Sequence, residues 1–249
     1  MATPVQNSGR VCASEEDILM KIGVICAMEE ELRELKAQLV DMSEKVIASQ
    51  HFFHGQLNGH EVTIVESGIG KVQAAMTTAN LINLFDPEVV INTGSAGGIG
   101  TDLHIGDIVI STGVAYHDVD ATVFGYLPGQ LPQQPQIFDA DKDLAKAIQA
   151  AAVETGLTVH DGLIVTGDQF INSQEAIDHI HSIYPAALAS EMEGAAIGQV
   201  ATEFHTPFVV IRAMSDVGDD EAGVNFDDFI IDAGKRSAKM LLTYLAQTA

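Results

Sequence analysis

The chain has 249 residues, 47% of them hydrophobic, and carries 12 Lys and Arg against 35 Asp and Glu, a formal net charge of -23. It is long enough to bury one large core, and its charge disfavours nucleic acid and anionic membrane surfaces as partners, favouring a small neutral or cationic molecule. Two cysteines are too few for a disulfide framework and no apolar run approaches a membrane span, which indicates a cytoplasmic protein.

The chain begins with a segment unlike the rest. Residues 1–19 are polar and small, which is typical of an extension that is disordered, so we expect a single folded domain over residues 20–249. The apolar run 22–27 predicts the first strand, buried on both faces, and a helix with an apolar stripe follows it directly.

A β-hairpin is the next predicted element. Two strand-like runs, residues 51–57 and 60–66, flank the pair Asn58-Gly59, which is the strongest short hairpin signal. Further along, strands are predicted over residues 88–93, 163–166, 187–191 and 208–216, and another strand is predicted to begin at residues 108–110. Helices are predicted over residues 72–84, 141–155, 174–183 and 226–246.

Residues 117–138 interrupt this alternation. They contain three prolines and little periodicity, which predicts a long irregular loop of the kind that usually has a function. The remaining alternation of strands with helices predicts an α/β fold with a mostly parallel, mixed sheet covered on both faces.

Two glutamates at the start of a helix differ in their expected environment. At about 100° per residue, Glu193 shares the apolar side of the helix with Ala196 and Ile197, whereas Glu191 falls roughly opposite. We therefore expect Glu193 to be buried and Glu191 to be solvated. A buried carboxylate is costly unless it is paired, so Glu193 requires a partner.

Acidic residues and glycines follow several predicted strands. In open α/β sheets, ligands collect beyond the carboxyl ends of strands, and we expect these segments to converge on one edge. The segments are residues 28–31, 94–98, 167–170, 191–193 and 215–216. Structural explanations are available for three of them: Glu29 to Glu31 could complement a helix dipole, Gly94 to Gly98 could form a tight turn, and Asp216 could cap a helix.

The chemistry suggested by these residues is acid–base catalysis. The histidines lack metal-ligand spacing, and the glycine-rich segments match no nucleotide phosphate motif. Inward-facing carboxylates without such motifs favour acid–base catalysis on a neutral substrate. Glycosidic bond cleavage, with one acid for the leaving group and one base for water, is the leading reaction of this kind.

At these residues the chain resembles the 5'-methylthioadenosine/S-adenosylhomocysteine nucleosidase family, from Met20 to the C-terminus. The segments that carry the resemblance are Ala27 to Glu31, Ser67 to Lys71, Asn92 to Gly98, Gly167 to Asn172, Glu191 to Glu193 and Ser215 to Val217. The resemblance implies a three-layer α/β/α sandwich, a homodimer, and neither a metal nor an organic cofactor. It also implies hydrolysis of 5'-methylthioadenosine, S-adenosylhomocysteine and 5'-deoxyadenosine to adenine and the 5-substituted ribose, in methionine salvage and S-adenosylhomocysteine recycling.

The resemblance also implies catalytic roles. Asp216 is expected to protonate adenine at N7, and Glu31 to activate the attacking water, which Ser95 and Arg212 help to hold. Glu193 is expected to bind the ribose hydroxyls and to stabilise the positive charge that develops in the transition state. The partner of the Glu193 carboxylate would then be the ribose, and in the protein without substrate this carboxylate would have no partner.

Further positions are implied to bind substrate. Met192 would pack on the sugar, Phe170 would stack on adenine, and Ile171 would read the edge of the base through its backbone. Ile69 and Phe226 would line the 5'-alkylthio pocket, and the neighbouring subunit would cover it with Phe124, Tyr126 and Pro132. The remaining implied positions are Met28, Ala96, Gly97, Ser215 and, behind the residues that touch the ligand, Glu191.

Two other functions compete with this interpretation. A purine nucleoside phosphorylase would use phosphate in place of water, but a phosphate pocket normally needs several arginines and only Arg212 lies in a motif. A module that only binds nucleosides would not need Glu31, Glu193 and Asp216 together. Both considerations favour the hydrolase.

Overall fold

The structure is a computed structural model, which describes residues 20–217 and 222–248. Within the helices, the side chains of residues 30, 31, 222–228, 230 and 233 are outside this description. The extension over residues 1–19 and the side chains of Glu31 and Phe226 therefore lie outside the described residues, and the domain boundary stays a prediction.

The described residues form alternating strands and helices. The strands are β1 (Lys21–Cys26), β2 (Val40–Ile47), β3 (Gln50–Leu57), β4 (His60–Glu66), β5 (Val89–Gly98), β6 (Ile108–Tyr116), β7 (Phe138–Asp139), β8 (Val159–Thr166), β9 (Ala187–Glu191) and β10 (Phe208–Asp216). The helices are α1 (Glu29–Lys36), α2 (Lys71–Phe85), α3 (Lys142–Glu154), α4 (Gln174–Ile183), α5 (Gly194–Glu203) and α6 (Ala222–Gln247), with a short 3-10 helix at Thr122–Phe124.

Helices cover both faces of the sheet. Side chains of β1 alternate between the faces, as the period of two in a strand requires. Ile22 and Val24 pack in one apolar cluster with α1, α3 and α6, and Ile25 packs in a second cluster with α2 and α5. Full burial of each such side chain contributes roughly 1.5–3 kcal/mol to folding. This arrangement confirms the predicted three-layer α/β/α sandwich.

The strands form one mixed sheet. Its strand order is β2, β3, β4, β1, β5. Beyond β1, β5 pairs with two further strands, β10 and β9. Because β10, β6, β8 and β9 also pair in series, these four strands and β5 close a circuit. The parallel pairings are β1–β4, β1–β5, β5–β10, β6–β8 and β8–β9.

The meeting of β5 and β9 positions the site. We expected the carboxyl ends of parallel strands to share one edge, but β9 runs antiparallel to β5. The two strands pair only through Gly97 and Gly98, opposite Ser190 and Ala189. Their carboxyl ends therefore overlap, which brings the segment after β9 to the end of β5 despite the opposite strand direction.

The hairpin prediction is confirmed. β3 and β4 pair antiparallel and close with Leu57 opposite His60. Asn58 and Gly59 have φ values of 50° and 81°, and the two positive values are what a two-residue type I′ turn requires.

The observed strands differ from the predicted ones at β5 and β2. Gly94 to Gly98 were expected to form a loop, but they belong to β5 and pair with β10, from Gly94 opposite Arg212 to Gly97 opposite Asp216. β2 was not predicted, because it is an edge strand with exposed positions along almost its whole length and so lacks apolar alternation. None of the described helices combines the length and apolar character that crossing a membrane requires.

Candidate active site

A cavity of about 330 Å³ lies where the ends of β5, β9 and β10 meet. Backbone and side chains from six segments form its wall: Ala27, Met28, Ile69, Ser95, Ala96, Gly97, Gln169, Phe170, Ile171, Ser190, Glu191, Met192, Glu193, Arg212 and Asp216. All but three of these residues were singled out from the sequence. The wall thus joins charged groups to an apolar surface, as pockets for small organic ligands do.

The three residues without a predicted role are Ala27, Gln169 and Ser190. Each directly precedes a predicted site residue at the end of a strand or in the loop after it. Their position at or beyond a strand end could therefore have identified them from the sequence. This position does not give the direction of each side chain, because that direction depends on how the neighbouring strands pair.

Several predicted site residues do not line the cavity. Ser215 is fully buried behind Asp216. Phe124 and Pro132 are exposed and Tyr126 is half-buried in the long loop after β6, so their predicted contact with a neighbouring subunit stays a prediction. Glu31 lies in α1 and Phe226 in α6, with side chains outside the described residues.

Asp216 ends β10 and is almost completely buried. The hydroxyl of Ser215 donates a 2.9 Å hydrogen bond to Oδ2 of Asp216. On the other side, a Cβ atom on Gly97 would stand only 2.8 Å from Oδ1, so a glycine is needed where the carboxyl group approaches β5. These contacts fix the direction in which the carboxyl group points.

Glu193 is the N-cap residue of α5 and is buried, as its position on the apolar face predicted. The expectation that the empty protein offers it no partner is wrong. The backbone N–H of Gly70 donates a 2.8 Å hydrogen bond to Glu193 Oε1, and Nη2 of Arg212 lies 3.9 Å from Oε2. Helical periodicity could not reveal either group, because both come from distant parts of the chain.

The prediction that Glu191 is solvated is also wrong. Glu191 is the last residue of β9 and not part of the helix, so the helical angle did not apply, and it is 6% exposed. Its carboxylate accepts hydrogen bonds from the Thr166 hydroxyl and from the backbone N–H groups of Glu193 and Gly194. The last two belong to the start of α5, where the helix dipole favours an anion.

Arg212 neutralises Glu191. Its Nη2 lies 2.6 Å from Glu191 Oε2 and 2.5 Å from Asn92 Oδ1, and its side chain is almost completely buried. Arg212 lines the cavity, as predicted, but its guanidinium group is also bonded to these neighbours. The charge pair therefore holds β5, β9 and β10 together directly below the cavity.

A second charged cluster lies beside the cavity and was not predicted. Lys71 Nζ lies 2.6 Å from Asp118 Oδ2, and the backbone N–H of Asp168 donates to the same oxygen at 2.9 Å. Burial alone would raise the pKa of Asp118, but the hydrogen bonds from Lys71 and Asp168 hold this pKa below its usual value. The cluster joins the turn that carries Ile69 to the loop that carries Phe170.

His117 packs beside this cluster. It is buried against Gly167, where a Cβ atom would overlap the imidazole ring. Burial lowers the pKa of His117, although the neighbouring carboxylates of Asp118 and Glu191 act in the opposite direction. The neutral imidazole is therefore the form that the fold favours.

The cavity can perform acid–base chemistry on an uncharged ring compound. It brings the buried carboxyl groups of Asp216 and Glu193 to one space, and the aromatic residue Phe170 forms part of the wall. The described residues contain no cluster of three or more His, Cys, Asp or Glu side chains arranged to hold a metal ion.

Known proteins share both the sequence and the fold. The model of the phosphorylase superfamily matches residues 21–246. The 5'-methylthioadenosine/S-adenosylhomocysteine nucleosidase of Actinobacillus succinogenes is 47% identical over 228 residues, which cover 92% of this chain and 99% of that protein.

Solved structures agree with this relationship. The nucleosidase of Neisseria meningitidis in complex with methylthio-immucillin-A has a TM-score of 0.90 and 43% identity, covering 92% of this chain and 99% of that one. The S-adenosylhomocysteine nucleosidase of Streptococcus pyogenes in complex with 5-methylthiotubericidin has a TM-score of 0.89 and 46% identity, covering 92% and 97%. This chain therefore belongs to the 5'-methylthioadenosine/S-adenosylhomocysteine nucleosidase family within the phosphorylase superfamily.

Proposed function

We propose that the protein hydrolyses the N-glycosidic bond of 5'-methylthioadenosine and S-adenosylhomocysteine, and also that of 5'-deoxyadenosine. The products are adenine and the 5-substituted ribose, which belong to methionine salvage and S-adenosylhomocysteine recycling. The observation that carries the proposal is the presence of two buried carboxyl groups, Asp216 and Glu193, on the wall of one cavity. The nucleosidase relatives support the choice of substrates.

In the proposed mechanism, the bond between N9 of adenine and C1′ of the ribose breaks, and its electron pair leaves with the base. Asp216 donates a proton to N7, so the base departs as neutral adenine. Glu193 binds the ribose hydroxyls, and its negative charge stabilises the oxocarbenium character of the transition state more than the ground state.

Water completes the reaction. We assign Glu31 to accept a proton from the water that attacks C1′, with Ser95 and Arg212 beside it. Phe170 stacks on adenine, Ile171 reads the edge of the base, and Met192 packs on the sugar. Met28, Ala96, Gly97 and Ile69 also line the cavity and contribute to the surface around the nucleoside.

The proposal includes a homodimer in the cytoplasm. Large apolar side chains are exposed in the long loop after β6, including Val123 at 85% and Phe124 at 79%. Ile69 is also exposed at the cavity. Exposed apolar clusters of this kind mark protein–protein interfaces, which supports a partner subunit that covers the 5' pocket. Sedimentation of the wild type and of Phe124→Ser tests this part, with dissociation and weaker substrate binding expected for the variant.

The decisive experiment measures free base and free sugar. The protein is mixed with 5'-methylthioadenosine, S-adenosylhomocysteine, 5'-deoxyadenosine and inosine, each with and without phosphate. We expect adenine and the reducing sugar at the same rate in both conditions, and little release from inosine. A rate that requires phosphate, with a sugar 1-phosphate as product, indicates a phosphorylase. Tight binding without turnover indicates a binding module.

A further inference from the structure

The side chain of Ser190 lies where it can bind a ligand, and neither the sequence motifs nor the family relationship assigns it a role. Ser190 lines the cavity and is only 6% exposed. Its hydroxyl oxygen has no hydrogen-bond partner among the described residues. A buried hydroxyl without a partner loses its hydrogen bonds to water and gains none from the protein, which is destabilising. Such a group on a cavity wall is best explained by a bond to a ligand.

Strand pairing gives the direction of this hydroxyl. Ser190 on β9 pairs directly with Gly97 on β5, and directly opposed residues of an antiparallel pair project to the same face. A Cβ atom on Gly97 would point at Oδ1 of Asp216, from 2.8 Å away. The side chain of Ser190 therefore projects to the face that carries the Asp216 carboxyl group.

The neighbouring residue, Glu191, makes its hydrogen bonds within the protein. Glu191 projects to the opposite face of β9, where its carboxylate binds Thr166, Arg212 and the start of α5. Its hydrogen bonds are already supplied by the protein. Ser190 thus differs from Glu191 in that its polar atom is left for the cavity.

We propose that the Ser190 hydroxyl donates a hydrogen bond to a ring nitrogen of the bound adenine, and so contributes to selection of the base. This inference rests on the proposed function, in which Asp216 acts at N7. The acceptors left for Ser190 are N1 and N3, which 1-deazaadenine and 3-deazaadenine remove one at a time. A hydroxyl that is left unpaired by an analogue lacking its acceptor discriminates against that analogue.

The experiment compares binding with folding. Affinities of wild type and Ser190→Ala are measured by calorimetry for adenine, 1-deazaadenine and 3-deazaadenine, and kcat/KM is measured for 5'-methylthioadenosine. We expect Ser190→Ala to weaken adenine binding by about threefold to tenfold, as one neutral hydrogen bond allows, without lowering the melting temperature. The deaza analogue that lacks the acceptor should bind the wild type and the variant equally.

Ser111→Ala is the matched control. Ser111 is a buried serine like Ser190, but its hydroxyl accepts a 2.9 Å hydrogen bond from the backbone N–H of Val210. This control should lower the melting temperature and leave adenine binding unchanged. Equal adenine affinity in wild type and Ser190→Ala overturns the proposal, as does an equal loss for all three bases. Absence of hydrolysis by the wild type contradicts the proposed function separately, because the binding comparison does not depend on turnover.

Discussion

The backbone N–H of Gly70 donates a 2.8 Å hydrogen bond to Oε1 of Glu193, which lies 123 positions further along the chain. Gly70 has a φ value of 98°, in the region that favours glycine, and directly precedes α2. The position of the Glu193 carboxylate therefore depends on the backbone conformation of a turn in a distant part of the sequence.

Replacement of Gly70 by alanine should impair catalysis. An L-residue at the φ of 98° and ψ of 161° of Gly70 costs roughly 1–3 kcal/mol, and the new Cβ would lie 3.1 Å from Oδ1 of Asp168. Relief of this strain moves the N–H away from Glu193, so we expect kcat/KM for 5'-methylthioadenosine to fall by about tenfold or more, equivalent to losing one charge-assisted hydrogen bond. Steady-state kinetics with thermal unfolding measures both effects.

Gly156→Ala is the control for this prediction. Gly156 has a φ value of 74°, and a Cβ atom there would meet nothing within 4 Å. Gly156→Ala should also carry a backbone cost because of the positive φ, but without any loss of activity. Equal kinetics for Gly70→Ala and wild type would mean that the Gly70 hydrogen bond is not needed to place Glu193.

Asp216→Asn should remove the acid while keeping the fold. The amide has nearly the same shape as the carboxyl group and still accepts the hydrogen bond from Ser215. We expect kcat to fall by at least about a hundredfold, the effect of losing a general acid. Asp161→Asn, which changes an exposed carboxylate on β8, should leave kcat unchanged. Near-normal turnover by a folded Asp216→Asn protein would exclude the proton-donor role.

The buried pair of Arg212 and Glu191 should show strong coupling. Either Arg212→Met or Glu191→Gln leaves one buried charge without its main counter-ion, which typically costs about 3–5 kcal/mol. The double variant removes both charges, so its loss of stability should be much smaller than the sum of the two single losses. Urea unfolding of the four proteins measures the coupling. Additive losses would show that Arg212 and Glu191 do not stabilise each other.

The stability of the fold should depend on His117 in acid. Burial lowers the pKa of His117 below its ordinary value of 6.5, so the unfolded state binds more protons than the folded state between the two pKa values. The free energy of unfolding therefore rises with pH there, and the contribution of the neutral imidazole is lost as pH falls below 6.5.

Urea unfolding at about pH 5.5 and about pH 8 tests this dependence. His117→Asn should lose less stability between the two conditions than the wild type does, because the variant side chain does not titrate. His205→Asn, which replaces an exposed histidine, should behave as the wild type. An unchanged difference between the two conditions in His117→Asn would contradict the assignment.

Local patterns allowed much of the fold to be predicted. The apolar run before Ala27, the Asn58-Gly59 pair and the strand ending at Glu191 all correspond to observed elements, because each depends on residues close together in the chain. β2 was not predicted, because an exposed edge strand does not require alternating apolar residues. The glycines after residue 93 were expected in a loop, but pairing with β10 extends β5 through them.

The sequence by itself determined which residues could carry the chemistry, since most of the cavity wall follows strand ends and matches family motifs. The tertiary structure decided which protein groups each of them meets. Glu191 was expected in water, but β10 brings Arg212 to it, and Glu193 was expected to be unpartnered, but a turn 123 residues away supplies an N–H. Periodicity gives the face on which a side chain lies, whereas its partners depend on strand pairing between distant segments.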